Sequence, residues 1–287
     1  MRSILAIFFR VLFKIPFFKP HFFGIHKRIF LPLNLFKGVV RTVKFKKDIL
    51  LKLEVSDWVQ ENLYFLDAYE DSELLFMKHI LKDGSVFIDI GANIGLYSLV
   101  ASKIVKKNGS IYAFEPYPKN REAFNENIAL NNFKNIVVEN FAIAEKEGEI
   151  ALFYNMDNAN LGMVSAYVTD SDNAVKVKTI SLDNYVKNQH ITKIDFIKLD
   201  IEGGEYTALL GMQEVLTNLS PILMIEILEY VPFTKNTNQD KIVSFLEKFG
   251  YQKWFISENG TLSKTQKDAS RMNFIFAKKD SKLTKYQ

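Results

Sequence analysis

From residue 72 onward, apolar and polar positions switch repeatedly between a helical period and short unbroken apolar runs. Ser72–Lys82 places Leu74, Leu75, Met77, Ile80 and Leu81 at helical spacing, and Asp83-Gly84 closes it as a turn. Val86–Ile90 predicts a strand, and Asn93–Val105 a helix that stops at Lys106-Lys107-Asn108-Gly109. Ile111–Phe114 and Ile136–Val138 read as strands on either side of a helix over Asn120–Asn131. Between residues 149 and 180 the helical period disappears, and runs such as Val175-Lys176-Val177-Lys178-Thr179 alternate, so added β strands are expected there. Ile194–Leu199 and Ile222–Ile227 are apolar strands around a helix at Tyr206–Leu216, and Gln239–Phe249 is a further helix. Tyr251–Ile256 and Met272–Ala277 close the series. Repeated βα units with apolar strands imply a parallel sheet covered on both faces. The expected architecture is a Rossmann-like α/β fold with a mostly parallel seven-stranded sheet, and added strands between its third and fourth core strands. There is no internal repeat.

The N-terminal stretch follows a different pattern. In residues 1–15, Arg2, Ser3, Ala6, Arg10 and Lys14 share about a third of a helical wheel, and Ile, Leu, Val and Phe fill the rest. Pro16 and Pro20 stop that helix. Its longest uncharged apolar run, Ile4–Phe9, is far shorter than the roughly 20 residues that span a bilayer. Arg10 also interrupts any secretory h-region. Nine Phe precede Lys37, interleaved with Lys and Arg, as in a helix lying in a membrane interface. Two readings stand side by side: a lid packed on the rest of the protein, and peripheral membrane contact through residues 1–23. The organisation read from this is a leader at 1–47, a connecting segment at 48–71, the α/β domain at 72–280 and a tail at 281–287.

Charge sharpens that division. The chain of 287 residues has a net charge of +4. Residues 1–47 hold 11 Lys/Arg and no Asp or Glu, whereas the other 240 residues carry 26 basic and 33 acidic side chains. The acidic body makes nucleic acid an unfavourable partner. Hydrophobic residues make up 48% of the chain, enough for a full core. With no cysteine, disulfides, thiolate metal sites and a Cys nucleophile are excluded. The four His are far apart in sequence, and no His-based metal motif exists. The expected compartment is the cytoplasm, peripheral at the membrane under the second of the two readings of the leader.

The chemistry concentrates in two stretches. The first is Val86-Phe87-Ile88-Asp89-Ile90-Gly91-Ala92-Asn93-Ile94-Gly95, a strand, a tight turn and a helix start. In open α/β sheets such a turn lies at the carboxyl edge, where ligands bind. Gly91 fits the first position of the dinucleotide fingerprint, but Asn93 and Leu96 occupy the other glycine positions, so a pyrophosphate is not seated. No phosphate-binding Lys-Ser/Thr pair follows. Glu115 ends the next strand, 20 residues after Gly95, where a carboxylate can accept both ribose hydroxyls. Asp89 adds negative charge. The pattern asks for a ribose, no pyrophosphate and a positive charge, and S-adenosylmethionine, a sulfonium carrying a ribose, has all three.

The second stretch is Asp195-Phe196-Ile197-Lys198-Leu199-Asp200-Ile201-Glu202-Gly203-Gly204-Glu205. It places Asp200 and Glu202 at the same sheet edge as Asp89 and Glu115, and Glu226 ends the next strand. These carboxylates could hold the methionine amine, orient an acceptor hydroxyl or take its proton. Glu205 suits the first turn of a helix. Asp200, Glu202 and Glu226 are the catalytic candidates. Asp200 and Glu226 could bind a divalent cation, but no dedicated ligand run is present and no metal is assigned. Asn160, Gly162 and Ser165 are acceptor-side candidates, equally readable as a hairpin loop. His190 precedes a strand, and no histidine is obviously placed as base.

With Tyr69-Glu70, Asp89 through Ser98, Phe114-Glu115-Pro116, Leu182-Asp183 and Phe196 through Glu205, the sequence resembles the FkbM-type methyltransferase family over about residues 69–278. Gly204 stands where Ala is common. The resemblance implies O-methylation of a sugar, glycan or natural-product hydroxyl by in-line transfer from S-adenosylmethionine. It implies cofactor contacts from Asp89, Gly91, Ala92, Asn93, Gly95, Glu115 and Asp200, and an adenine-side loop at Asn140-Phe141-Ala142. The partner it implies is a small-molecule or glycan acceptor. The leader lies outside the resemblance. The rivals are a nicotinamide oxidoreductase, which lacks its glycines and a Tyr-x-x-x-Lys pair here, and a non-catalytic membrane-associated Rossmann-like protein, which the intact carboxylates oppose. An amino-group or RNA methyltransferase is weaker, because its Pro-Pro-Tyr/Phe motif is missing.

Overall fold

The structure is a computed structural model, and it describes residues 1–154, 164–165, 173–227, 239–266 and 272–279. Asn160, Gly162 and the 281–287 tail lie outside the described residues. The chain opens with α1 (Arg2–Leu12) and a short α2 (Phe22–Ile25), followed by a hairpin of β1 (Val40–Phe45) and β2 (Ile49–Glu54). Next come α3 (Trp58–Leu66), α4 (Asp71–Ile80), β3 (Val86–Ile90), α5 (Leu96–Val105), β4 (Ser110–Phe114), α6 (Pro118–Asn131) and β5 (Ile136–Glu139). An insertion holds β6 (Ala142–Ile143), β7 (Gly148–Tyr154), β8 (Val164–Ser165) and β9 (Ala174–Ile180). The chain ends with α7 (Leu182–Asn188), β10 (Phe196–Leu199), α8 (Glu205–Leu210), β11 (Ile222–Glu226), α9 (Gln239–Glu247), β12 (Tyr251–Ile256), β13 (Leu262–Ser263) and β14 (Asn273–Lys278).

The main sheet runs β13-β12-β14-β11-β10-β3-β4-β5. Strands β5, β4, β3, β10 and β11 are parallel, while β14 inserts antiparallel between β11 and β12. The sheet has eight strands rather than the seven expected, because the short β13 pairs with β12 at the edge. The added strands fall where expected but form a separate sheet, ordered β6-β9-β7-β8.

Strand pleat sorts the core into two layers. Phe87, Phe196 and Met224 enter one apolar cluster, and their neighbours Ile88, Ile197, Leu223 and Ile225 enter the other. Both faces of β3, β10 and β11 are covered, so these strands are apolar apart from Asp89, Lys198 and Glu226.

Residues 48–71, expected as a connection, carry β2 and α3 instead. The expected boundary at 47/48 falls in the β1–β2 turn. The hairpin docks on α6: Asn131 Oδ1 accepts from Leu50 N at 2.9 Å, and Asn127 Oδ1 from Lys52 N at 2.7 Å. Asn131 Nδ2 donates back to Leu50 O at 2.7 Å. Side-chain amides one helical turn apart thus satisfy a strand edge that has no strand beside it, and the Asn-rich face of α6 has a structural purpose.

The leader also packs inward. Phe13, Phe22, Phe30 and Phe36 are buried in the same cluster as Phe65 of α3. Ring centroids of Phe13, Phe30 and Phe36 lie 5.7, 5.5 and 5.2 Å from Phe65. Among the described residues no helix is long and apolar enough to cross a membrane.

Candidate active site

A cavity of about 330 Å³ opens at the carboxyl ends of β3, β4, β10 and β11. Its lining includes the carboxylates of Glu70, Asp89, Glu115, Asp200, Glu202 and Glu226, and Lys198 is the one cationic side chain among its described lining residues.

The first turn is shaped by backbone crowding. Gly91 and Ala92 donate their N–H groups to Phe114 O at 3.0 and 3.1 Å, tying the turn to the end of β4. Gly91 has φ +83°, and a Cβ there would sit 1.8 Å from the Asp200 carbonyl oxygen. What requires glycine is the neighbouring chain after β10. Asn93 also adopts the left-handed region, at φ 52°, and for that reason α5 starts at Leu96 rather than at the expected Asn93. Gly95, expected to touch a cofactor, does not line the cavity. It caps α5 at φ +87°, where a Cβ would lie 2.0 Å from the Phe124 ring, so its role is close helix packing.

Asp89 is buried, accepts from Ser98 Oγ at 2.6 Å through Oδ2, and leaves Oδ1 without a partner. Burial raises its pKa, against the opposing pull of Lys198 and Ser98. Glu115 accepts from Asn93 N at 2.7 Å and Tyr117 N at 2.9 Å, one on each oxygen. Burial still pushes it up to about 7. Each oxygen retains a lone pair for a further donor. Phe141, Ala142 and Ile143 line an apolar wall with Ile150 and Leu152. Asn140, expected there, is exposed and does not line the cavity.

Opposite lies the second carboxylate group. Asp200, Glu202 and Glu226 each bring a carboxylate oxygen within 4.8 Å of the others. Burial opposes the charge of Asp200, but Lys198 at 2.6 Å and a hydrogen bond from Glu226 outweigh it and hold Asp200 below the usual range. The Asp200 charge, then burial, pushes Glu226 up to about 11, so Glu226 keeps its proton. Burial and the same charge raise Glu202 to about 8. Glu202 sits at φ 55° in a turn gripped by Glu205, whose Oε1 accepts from Ile201 N and Gly203 N, both at 3.1 Å. Glu205 thus builds the loop that presents Glu202.

Sequence reasoning assigned no role to Lys198, Glu70 or Tyr97. Lys198 is buried in an otherwise apolar strand, 4.7 Å over the Tyr97 ring. Tyr97 donates to Glu70 at 2.7 Å, and Asn273 Nδ2 donates to the other Glu70 oxygen at 3.0 Å. A lysine inside Phe196-Ile197-Lys198-Leu199 was the available signal, since a buried charge requires a partner. His190 is exposed in the turn after α7, away from the cavity. Ser165 lies in β8.

A sheet with this strand order, turning an acidic cavity to its carboxyl edge, defines an S-adenosylmethionine-dependent methyltransferase domain of the Rossmann-like class I type. The methyltransferase FkbM domain model matches residues 89–253, more than half of the chain, and the chain belongs to that family. It is 24% identical over 143 residues to the hexuronic acid methyltransferase AglP of Haloferax volcanii, covering 50% of this chain and 56% of that protein, little more than half the relative's length. Methyltransferase 1 of Beauveria bassiana is 24% identical over 198 residues, covering 61% and 74% of the two chains. Among solved structures, an rRNA methylase from Streptococcus thermophilus has a TM-score of 0.41 at 13% identity, covering 71% of this chain and 90% of its own. An S-adenosylmethionine-dependent O-methyltransferase from Thermotoga maritima has a TM-score of 0.41 at 15% identity, covering 73% and 65%. Neither overlay bears on the acceptor.

Proposed function

We propose that the protein methylates a hydroxyl group of a sugar, glycan or natural-product acceptor. One observation carries the reading: six carboxylates face a cavity whose single described lysine is already paired to Asp200. Such a wall favours a cationic ligand and repels the pyrophosphate of a dinucleotide. It also leaves no free cation among the described lining residues for an acidic acceptor group, which favours a neutral hydroxyl. The likeness to a hexuronic acid methyltransferase supports a sugar.

S-adenosylmethionine, when bound, supplies a methyl group activated by its sulfonium. The unpartnered Asp89 Oδ1 is suited to its positive end, and Glu115 to its ribose hydroxyls. Phe141, Ala142 and Ile143 offer an apolar wall for its adenine. Asp200, fixed by Lys198 and Glu226, orients the acceptor hydroxyl, and Glu202 accepts its proton.

Calorimetric titration with S-adenosylmethionine, S-adenosylhomocysteine and NAD tests the cofactor. Binding of the first two and not the third is expected, weakened at least about tenfold in an Asp89→Asn/Glu115→Gln variant. Binding of NAD alone by folded protein would overturn the reading. Methyl transfer to a panel of neutral sugars and uronic acids, followed by mass spectrometry, then tests the acceptor; transfer only to the uronate carboxyl would refute the hydroxyl assignment.

A further inference from the structure

The leader helix is packed with the wrong side out for a helix whose only partner is its own domain. Leu5, Ala6, Phe9, Arg10 and Phe13 form the inward stripe, with Arg10 lying 4.9 Å over the Tyr64 ring. The inward stripe thus takes in Ala6 and Arg10 from the polar third of the helical wheel. Ile4, Ile7, Phe8 and Val11 point outward at 72, 53, 56 and 59% exposure. The exposed series continues through Ile15, Phe17, Phe23, Ile29, Leu31 and Leu33. Scattered apolar residues on a surface need no explanation, but a contiguous series does.

Charge identifies what covers it. Lys14, Lys19, Lys27, Arg28 and Lys37 are exposed within the same segment, and residues 1–47 contain no carboxylate. Acidic residues beyond the leader that reach it include Glu61, buried and bonded to His26 at 2.8 Å, and Asp67 and Asp71, both bonded to Lys46. A second copy of this chain would bring identical cations face to face. An apolar stripe flanked by cations matches a bilayer interface with anionic headgroups, where side chains such as Phe and Leu enter the acyl boundary and Lys and Arg meet the headgroups. We propose that the outward face of α1, with the exposed apolar residues up to Leu33, docks on the surface of a membrane containing anionic lipid.

The geometry suits docking rather than insertion. At 11 residues α1 is about 16 Å long, half the thickness of a hydrocarbon core. Its inner face is fixed by the Phe13–Phe65 cluster, so the outer face exists before binding and ordering it costs nothing further. The same cluster reaches the cavity. Trp58, a lining residue, lies 6.2 Å from Phe22, 6.0 Å from Phe23 and 4.7 Å from His26 by ring centroid. The docking surface and the cavity wall are therefore parts of one aromatic assembly, which favours acceptors presented at the membrane surface.

Flotation of the full chain with vesicles of phosphatidylcholine, and of phosphatidylcholine mixed with phosphatidylglycerol, tests this. The chain is expected to float with the mixed vesicles and at least about tenfold less with neutral ones or at high salt. Ile4→Asn/Phe8→Ser/Val11→Asn should abolish flotation without changing the melting temperature or S-adenosylhomocysteine affinity. Lys14→Glu/Lys19→Glu, which leaves every apolar residue in place, should weaken it. Wild-type protein remaining at the bottom of both gradients would overturn the proposal. So would apolar and charge variants that both float like the parent, or a lipid-free dimer that the triple variant dissolves.

Discussion

The cavity and the leader are opposites in how they treat charge and apolar surface. In the cavity, six carboxylates are drawn into a partly buried wall beside one lysine, and the apolar side chains lie behind and beside them. In the leader, cations stand exposed among exposed Ile, Val and Phe, and carboxylates are absent. The net charge of +4 is the sum of +11 in residues 1–47 and −7 in the rest of the chain, and describes neither part. Burying like charges raises the free energy of the free protein, and a cationic ligand recovers it. Exposing apolar surface does the same, and an apolar partner recovers it.

The largest effect should come from Gly91→Ala. With Cβ 1.8 Å from the Asp200 carbonyl and φ at +83°, β3 and β10 must separate at their carboxyl ends. A loss above about 4 kcal/mol is expected, the range of exceptional backbone lesions. Urea unfolding checks it, and a loss below 1 kcal/mol would show that the crossing is loose. The leader supplies the matching contrast. Phe13→Ala, at a side chain 1% exposed, should cost about 3 kcal/mol, whereas Phe8→Ala, at 56%, should cost almost nothing. Equal costs would mean that the two faces of α1 are not distinct.

The next prediction concerns Glu202. If it takes the acceptor proton, kcat/KM rises as pH increases through about 8, where its carboxyl ionises. Glu202→Gln should lower kcat about 100-fold and flatten that rise, leaving cofactor affinity within a few-fold. A variant with full activity would move the role to Asp200.

The last prediction concerns stability against pH. Burial pushes Glu70, Glu115 and Glu205 up to about 7, and Glu202 to about 8, from 4.5. The folded protein holds protons that the unfolded chain releases above 4.5. Their contribution is complete below that pH and is lost as pH rises through 7 and 8. Melting temperature should therefore fall between pH 5.5 and 8.5. S-adenosylmethionine, being cationic, should raise it more at pH 8.5 than at pH 5.5. S-adenosylhomocysteine, which has no sulfonium charge, should show a smaller pH dependence. Identical pH dependence for both ligands would mean that the carboxylate wall does not sense the sulfonium.

Much was legible in linear order because the chemistry sits at strand ends. Short, mostly apolar runs marked β3, β10 and β11, and a carboxylate near the end of such a run or just beyond it must reach the sheet's carboxyl edge. Asp89, Glu115, Asp200, Glu202 and Glu226 could be placed on one rim by that rule, and all five line the cavity. The rule does not specify what a residue touches. Gly91 and Gly95 look alike in the sequence, yet one is crowded by Asp200 at the cavity and the other by Phe124 behind it. Asn140 and Phe141 are chain neighbours, yet Phe141 lines the cavity and Asn140 is exposed away from it. Lys198, Glu70, Tyr97 and Asn273 form one network drawn from residues 70 to 273, a separation that no local pattern encodes. The sequence by itself determined the α/β order, the acidic rim and the basic aromatic leader, because period and charge are local properties. Only the tertiary structure decided which face of α1 turns outward and which carboxyl keeps its proton. Both depend on desolvation by elements distant in the chain.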